Sequence, residues 1–169
     1  MSELSIPTYD PATTVRSLEV EIDAPASVVW EVLTDLDSYP HWNPFCVAAK
    51  STLELGAAVE MTLADYSGAT ETFPYTEYVC AVVPERLLSW ELRPTEVSVQ
   101  AARRDQVIEP ITDNRCRYYS TDAFLGEEAL QIMADSGEWV KRAFDDTAVA
   151  LKERSEALFT ARSLGSRSA

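Results

Sequence analysis

Between residues 15 and 22 apolar and polar side chains alternate: Leu18, Val20 and Ile22 against Ser17, Glu19 and Glu21. A period of two predicts a half-buried strand. Asp23-Ala24-Pro25 interrupts it. Asp23 or Ala24 is placed to cap the following helix, with Pro25 in its first turn. Residues 26–36 then switch to helical spacing, with Val29, Val32, Leu33 and Leu36 on one face. After DSYPHWNPF (37–45) the period returns to two. Segments 45–50, 58–64, 70–83, 86–92, 97–109 and 115–124 read as six further strands. Gly56, Ser67-Gly68, Pro84-Glu85, Pro94 and Asp113-Asn114 supply the turns between them. Pro74, inside the third of these runs, marks an edge or a bulge. Residues 125–137 are mixed and close on Ser136-Gly137. From 138 to 164 there is neither Gly nor Pro, and Val140, Phe144, Thr147, Leu151, Ser155 and Leu158 recur at spacings of three and four. That is a long amphipathic helix; about 24 residues would span roughly 36 Å.

The order is therefore one strand, short helical structure, six strands and a long helix. A run of antiparallel strands must have one face covered, and the last helix is the element long enough to cover it. Strands bent around one helix leave space between sheet and helix, a natural ligand cavity. Residues 15–162 form one domain on this reading, with tails at 1–14 and 163–169.

Charge narrows the choice of partner. The formal net charge is −14, and the few basic residues are scattered. A nucleic-acid face needs clustered Lys and Arg, and an anionic membrane surface would repel this chain. A neutral or apolar small molecule is compatible. Cys46, Cys80 and Cys116 are far apart, make no CxxC and read as reduced thiols, and with one histidine in the chain no metal site is expected. No cofactor motif is present. The N-terminus has no basic stretch followed by an apolar one, and no segment is long and apolar enough to span a membrane, so a cytoplasmic protein is expected.

The segment APASVVWEVLTDLDSYPHWNPF (24–45) resembles the SRPBCC, or START-like, superfamily, and within it the bacterial polyketide cyclase/dehydratase and lipid-transport group. STDAFLG (120–126) and WVKRAFDDTAVALKERSEAL (139–158) are similar to that group's later strand segment and closing helix. The resemblance covers roughly residues 15–160. It implies an α+β helix-grip fold: a curved seven-stranded antiparallel sheet wrapped around a long C-terminal helix, two short helices after the first strand, and a deep apolar cavity. It implies less about activity, since members include cyclases, aromatases, lipid binders and resistance proteins.

The WNPF turn reads as structural. Trp42 and Phe45 can plug the end of the core, and Asn43, extended before Pro44, can bond turn backbone. His41 titrates near neutral pH but has no Cys, Ser or Asp partner beside it, so it reads as a surface or hydrogen-bonded residue.

The last strand carries more chemistry. Cys116, Tyr118, Ser120, Asp122 and Phe124 share its core-like face. A carboxylate in an apolar pocket has a raised pKa or takes a partner, so Asp122 is a candidate acid or base. The competing reading is a salt bridge to Arg103 or Arg104 on the neighbouring strand. Of those two, one faces inward in either register and is placed to hold a carbonyl or enolate oxygen. Asp122, Arg104 and Tyr118 are thus the candidate catalytic set. Tyr66, Tyr78, Trp90, Arg103, Phe124, Trp139 and Phe144 are candidate ligand contacts, with plain core packing as the alternative for the aromatics.

Two functions are compatible with these residues, and a third is weaker. One is a cofactor-independent polyketide cyclase or dehydratase, in which shape, water exclusion and one or two acid–base groups suffice. Another is a non-catalytic carrier or sequestering protein for a lipid-like or polycyclic ligand. The third is a homodimer-forming interaction protein with a vestigial cavity. An inward acid–base pair favours the enzyme, a wholly apolar cavity the carrier.

Overall fold

The computed structural model describes residues 4–68 and 71–168. The ends of the two expected tails (residues 1–3 and 169) and the expected strand start at Thr70 lie outside them.

The first strand is built from two pieces. β1 (Thr14–Arg16) and β2 (Val20–Ile22) both pair antiparallel with the last strand, β8 (Arg115–Leu125). Val15 stands opposite Asp122 in the first piece and Val20 opposite Tyr118 in the second, so the register slips by one residue between them. This is a bulge, which adds one residue and flips the phase of the rest of the strand. Ser17 fills the break, its Oγ accepting from the Ser120 N–H at 2.9 Å. The expected inward alternation fails here: Val15 and Ser17 are buried, while Leu18 is exposed. The slip turns the Leu18 N–H toward the closing helix, where it donates to Asp145 Oδ1 at 2.6 Å.

Helix α1 (Ala26–Thr34) follows with Pro25 itself at the N-cap, rather than Asp23 or Ala24, and with Val28, Val29, Val32 and Leu33 buried. The second short helix is a 3-10 turn at Leu36–His41. Strands β3 (Cys46–Lys50), β4 (Ala58–Ala64), β5 (Thr72–Val83), β6 (Leu87–Leu92) and β7 (Ala101–Thr112) then run as a meander into β8. The sheet order is β1-β8-β7-β6-β5-β4-β3, with β2 also on β8. The eight strands are the expected seven with the first divided by its bulge.

Helix α2 (Ala129–Ser166) closes the molecule against α1, β1, β2 and β8. It starts well before the expected 138, running through Ser136-Gly137. A mid-helix glycine costs about 1 kcal/mol relative to Ala. Here it lies on the buried face, and a Cβ would come within 2.7 Å of Met133 Sδ. Val97 and Val99 do not join β7 and are exposed. Pro74 meets its edge condition: β5 pairs with β4 over Thr72–Tyr78, but its pairing with β6 begins only at Tyr78. The missing proline N–H therefore costs no ladder bond.

Candidate functional site

The DSYPHWNPF stretch sets one wall. Asn43 Oδ1 accepts from the N–H groups of Phe45 and Cys46 at 3.0 and 2.9 Å. Tyr39 donates its hydroxyl to the Leu33 carbonyl at 2.6 Å and meets Trp42 edge to face. These bonds fix the turn and drive the Phe45 ring inward, against Phe144 and Trp139 of α2. His41 is exposed.

Between the sheet and the N-terminal half of α2 lies a cavity of about 250 Å³. Phe45, Leu63, Phe73, Tyr75, Phe124, Trp139, Val140 and Phe144 make most of its wall apolar. Arg104 and Asp122 enter from the sheet, and Gln100, Ile132, Asp135 and Ser136 complete the lining. A smaller pocket lies deeper, bounded by Trp90, Gln106 and Tyr118 and sharing Arg104.

Arg104 is the centre of the polar part. Strand register aligns it with Trp90 on β6 and Asp122 on β8. Its Nη2 reaches Glu77 Oε1 on β5 at 3.3 Å, and all three side chains are buried. Its guanidinium carbon lies 5.0 Å from the Phe144 ring centroid and 5.8 Å from those of Phe45 and Trp90. Burial works against the arginine's charge, but Glu77 and then Asp122 outweigh it and hold the guanidinium protonated. Burial pushes the Glu77 carboxyl up, with Arg104 opposing. Asp122 is pushed up to about 7 by burial, with Arg104 opposing and Glu77 adding to the rise. One cation therefore serves two acids, and its ion pair goes to Glu77 rather than to Asp122. The alternative expected for Asp122, a salt bridge to the neighbouring arginines, is not formed.

Three buried polar atoms of this group have no hydrogen-bond partner among the described residues: Asp122 Oδ1, Glu77 Oε2 and Arg104 Nε. Buried polar atoms are nearly always satisfied, and a ligand or water is one way to complete an exception. Arg104 and Asp122 both line the cavity. The arrangement can donate to a ligand oxygen from Arg104 and exchange a proton at Asp122 near neutral pH.

The residues that the sequence singles out separate into three groups. Arg104, Asp122, Phe124, Trp139 and Phe144 meet at the cavity. Trp90 and Tyr118 line the deeper pocket, where burial pushes the Tyr118 hydroxyl up to about 12. Tyr66 donates to Asp146 at 3.0 Å beside Phe45 and does not line either cavity. Tyr78 and Arg103 need correction as ligand contacts, because both point to the other face of the sheet. Tyr78 lies one position past Glu77 and stacks under Arg93 at 4.3 Å. Arg103 pairs with Asp105 at 2.9 Å. Glu77 belongs to the site and is absent from the expected set. The signal for it is in the sequence: Phe73, Tyr75, Glu77 and Val79 fall in one phase, so an acid stands in an apolar row.

No helix of the described residues is long and apolar enough to cross a membrane, and no group of His, Cys, Asp and Glu among them is arranged to hold a metal ion.

The family model described as polyketide cyclase / dehydrase and lipid transport matches residues 13–156. No curated protein matches the sequence. Among solved structures, a Nitrosomonas europaea protein is 16% identical, with a TM-score of 0.63 over 88% of this chain and 99% of its own. The Zhui aromatase/cyclase of a Streptomyces species is 19% identical, with a TM-score of 0.61 over 85% of this chain and 93% of its own. A START superfamily protein of Mycobacterium smegmatis is 14% identical, with a TM-score of 0.54 over 82% of this chain and 98% of its own. At such identities the likeness is one of fold.

Proposed function

The chain belongs to the polyketide cyclase / dehydrase and lipid transport family, and from that membership we propose that it cyclises or dehydrates a small polyketide-like molecule inside the cavity. The observation that carries this reading is the buried Asp122 carboxyl, its pKa pushed up to about 7 and its Oδ1 unpartnered, set across from Arg104 in a mostly apolar wall. A carrier needs no such pair. General acid–base chemistry works best with a group whose pKa lies near the working pH.

In the proposed step the apolar wall folds a polycarbonyl chain and excludes water. Asp122 takes a proton from the carbon between two carbonyls, and Arg104 Nε donates to the enolate oxygen. The carbanion attacks a second carbonyl, the new carbon–carbon bond forms, and Asp122 returns its proton to the resulting alkoxide. Water leaves when Asp122 takes the next such proton and passes it to the departing hydroxyl. Tyr118 and Trp90 would bound the deep end of the bound molecule.

The test is native mass spectrometry with ligand extraction from the producing cell, followed by incubation of the recovered compound or its precursor. A polycyclic compound, and turnover that Asp122→Asn abolishes while ligand affinity survives, would support the enzyme. A fatty acid or sterol-like lipid with no turnover would make the protein a carrier.

A further inference from the structure

We propose that the cavity rejects carboxylates and other anions and selects an uncharged ligand that donates a hydrogen bond to Asp122. This rests on the reading that the cavity is a ligand site, and it sharpens which ligands that site takes. The charges around the void are unbalanced. Among the described residues lining either the cavity or the deeper pocket, Arg104 is the one basic residue, and Glu77 already pairs with it at 3.3 Å. An arginine matched by a buried acid is not available to an anion at full strength. The remaining ionisable groups of the cavity wall that carry charge are acids. Asp122 lies inside with an unpartnered oxygen, and Asp135 stands at the mouth on α2, held by Gln131 Nε2 at 2.9 Å. Like charges brought together in a poorly solvated cavity repel far more strongly than in water. An entering carboxylate, sulfonate or phosphate thus meets Asp135 first and Asp122 next. A hydroxyl, enol or amine N–H instead satisfies Asp122 Oδ1, while a neutral carbonyl accepts from Arg104 Nε. Fatty acids, though apolar enough, are the wrong ligands for such a wall.

The test uses two fluorescent probes that differ by one anionic group: N-phenylnaphthylamine, neutral with an N–H donor, and anilinonaphthalene sulfonate. Both are titrated into the full chain at pH 8. The neutral probe is expected to bind at least about tenfold more tightly, the ratio that a modest like-charge repulsion produces. Asp122→Asn is expected to shrink that ratio severalfold, and so is Asp135→Asn, which lies at the exposed mouth and leaves the buried group untouched. Equal or tighter binding of the sulfonate overturns the proposal, as does a ratio that neither variant changes. Binding of neither probe overturns the cavity reading itself, and the proposal with it.

Discussion

Arg103 and Arg104 are chain neighbours on β7, and they occupy opposite faces of the sheet in two different kinds of polar cluster. On the outer face Arg103 Nε donates to Asp105 at 2.9 Å, and the Ser89 hydroxyl donates to the same Asp105 oxygen at 2.5 Å. Asp105 and Ser89 are buried, and none of the three lines a cavity. On the inner face Arg104 makes one longer bond to Glu77, Asp122 is left over, and the cluster borders a void. The residue types are almost the same. On the outer face one arginine meets one acid in a packed layer, and although Asp105 Oδ2 is unpartnered among the described residues, Asp105 lines none of the cavities. On the inner face one arginine serves two acids, and the cluster borders empty space that a ligand could fill. Surplus acid and adjacent volume, rather than buried charge or an unpartnered oxygen as such, set apart the face to which we assign the ligand.

The contrast is open to attack at several points. The largest effect is expected from Arg104→Met, which strands Glu77 and Asp122 as uncompensated buried acids and should cost about 3–5 kcal/mol in urea unfolding. Adding Glu77→Met should recover much of that loss; if it does not, Arg104 and Glu77 do not act as a pair.

Asp122→Asn should act in the opposite direction, and with pH. The carboxyl rises from an ordinary 3.8 to about 7 on folding, so between those values the folded state holds the extra proton and stability falls as pH rises. Below about 4 the group costs nothing; above about 7 the cost is complete, at most about 4 kcal/mol. The Asn variant should lack this descent and be the more stable protein at pH 8, while losing turnover. Parallel stability profiles for the two proteins would remove Asp122 from the role given to it.

Arg103→Met should be milder, roughly 1–2 kcal/mol, because Ser89 still donates to Asp105. Probe binding in the cavity should be unchanged, and a marked loss would erase the distinction between the faces. The smallest effect is expected from His41→Gln, within about 0.5 kcal/mol in stability and near wild type in activity, as for an exposed side chain that holds no side-chain partner among the described residues.

Much of this is legible in the residues themselves. The alternation of β8 puts Asp122 on the core face, and the adjacent arginines have to straddle the sheet. WNPF identifies the corner that Asn43 holds. The departures have local causes. The bulge after Arg16 reverses the phase of one strand without any glycine or proline to announce it, so simple alternation assigns Leu18 to the wrong side. Gly137 looks like a stop, but burial against Met133 on the helix's inner face outweighs its intrinsic cost. Tyr78 attracts attention as a tyrosine, although Glu77, its neighbour, holds the inward phase. Glu77 is easily passed over because a charge in an apolar row usually reads as a register error, when it can be the partner of a buried cation on another strand.

The early end of β6 at Leu92 has a kinetic consequence. Beyond it the Thr72–Glu77 edge of β5 has no ladder partner on that side among the described residues, and the segment 93–100 passes beside the cavity at Gln100. Alternate amides of that edge should exchange with deuterated solvent well before the amides of the Val79–Val83 stretch that bond to β6. A passage framed by main chain that is already unpaired can widen without breaking a single rung of the sheet. Ligand entry and exit would then be governed by the slack of one loop, on a timescale separate from the stability of the curved wall around it.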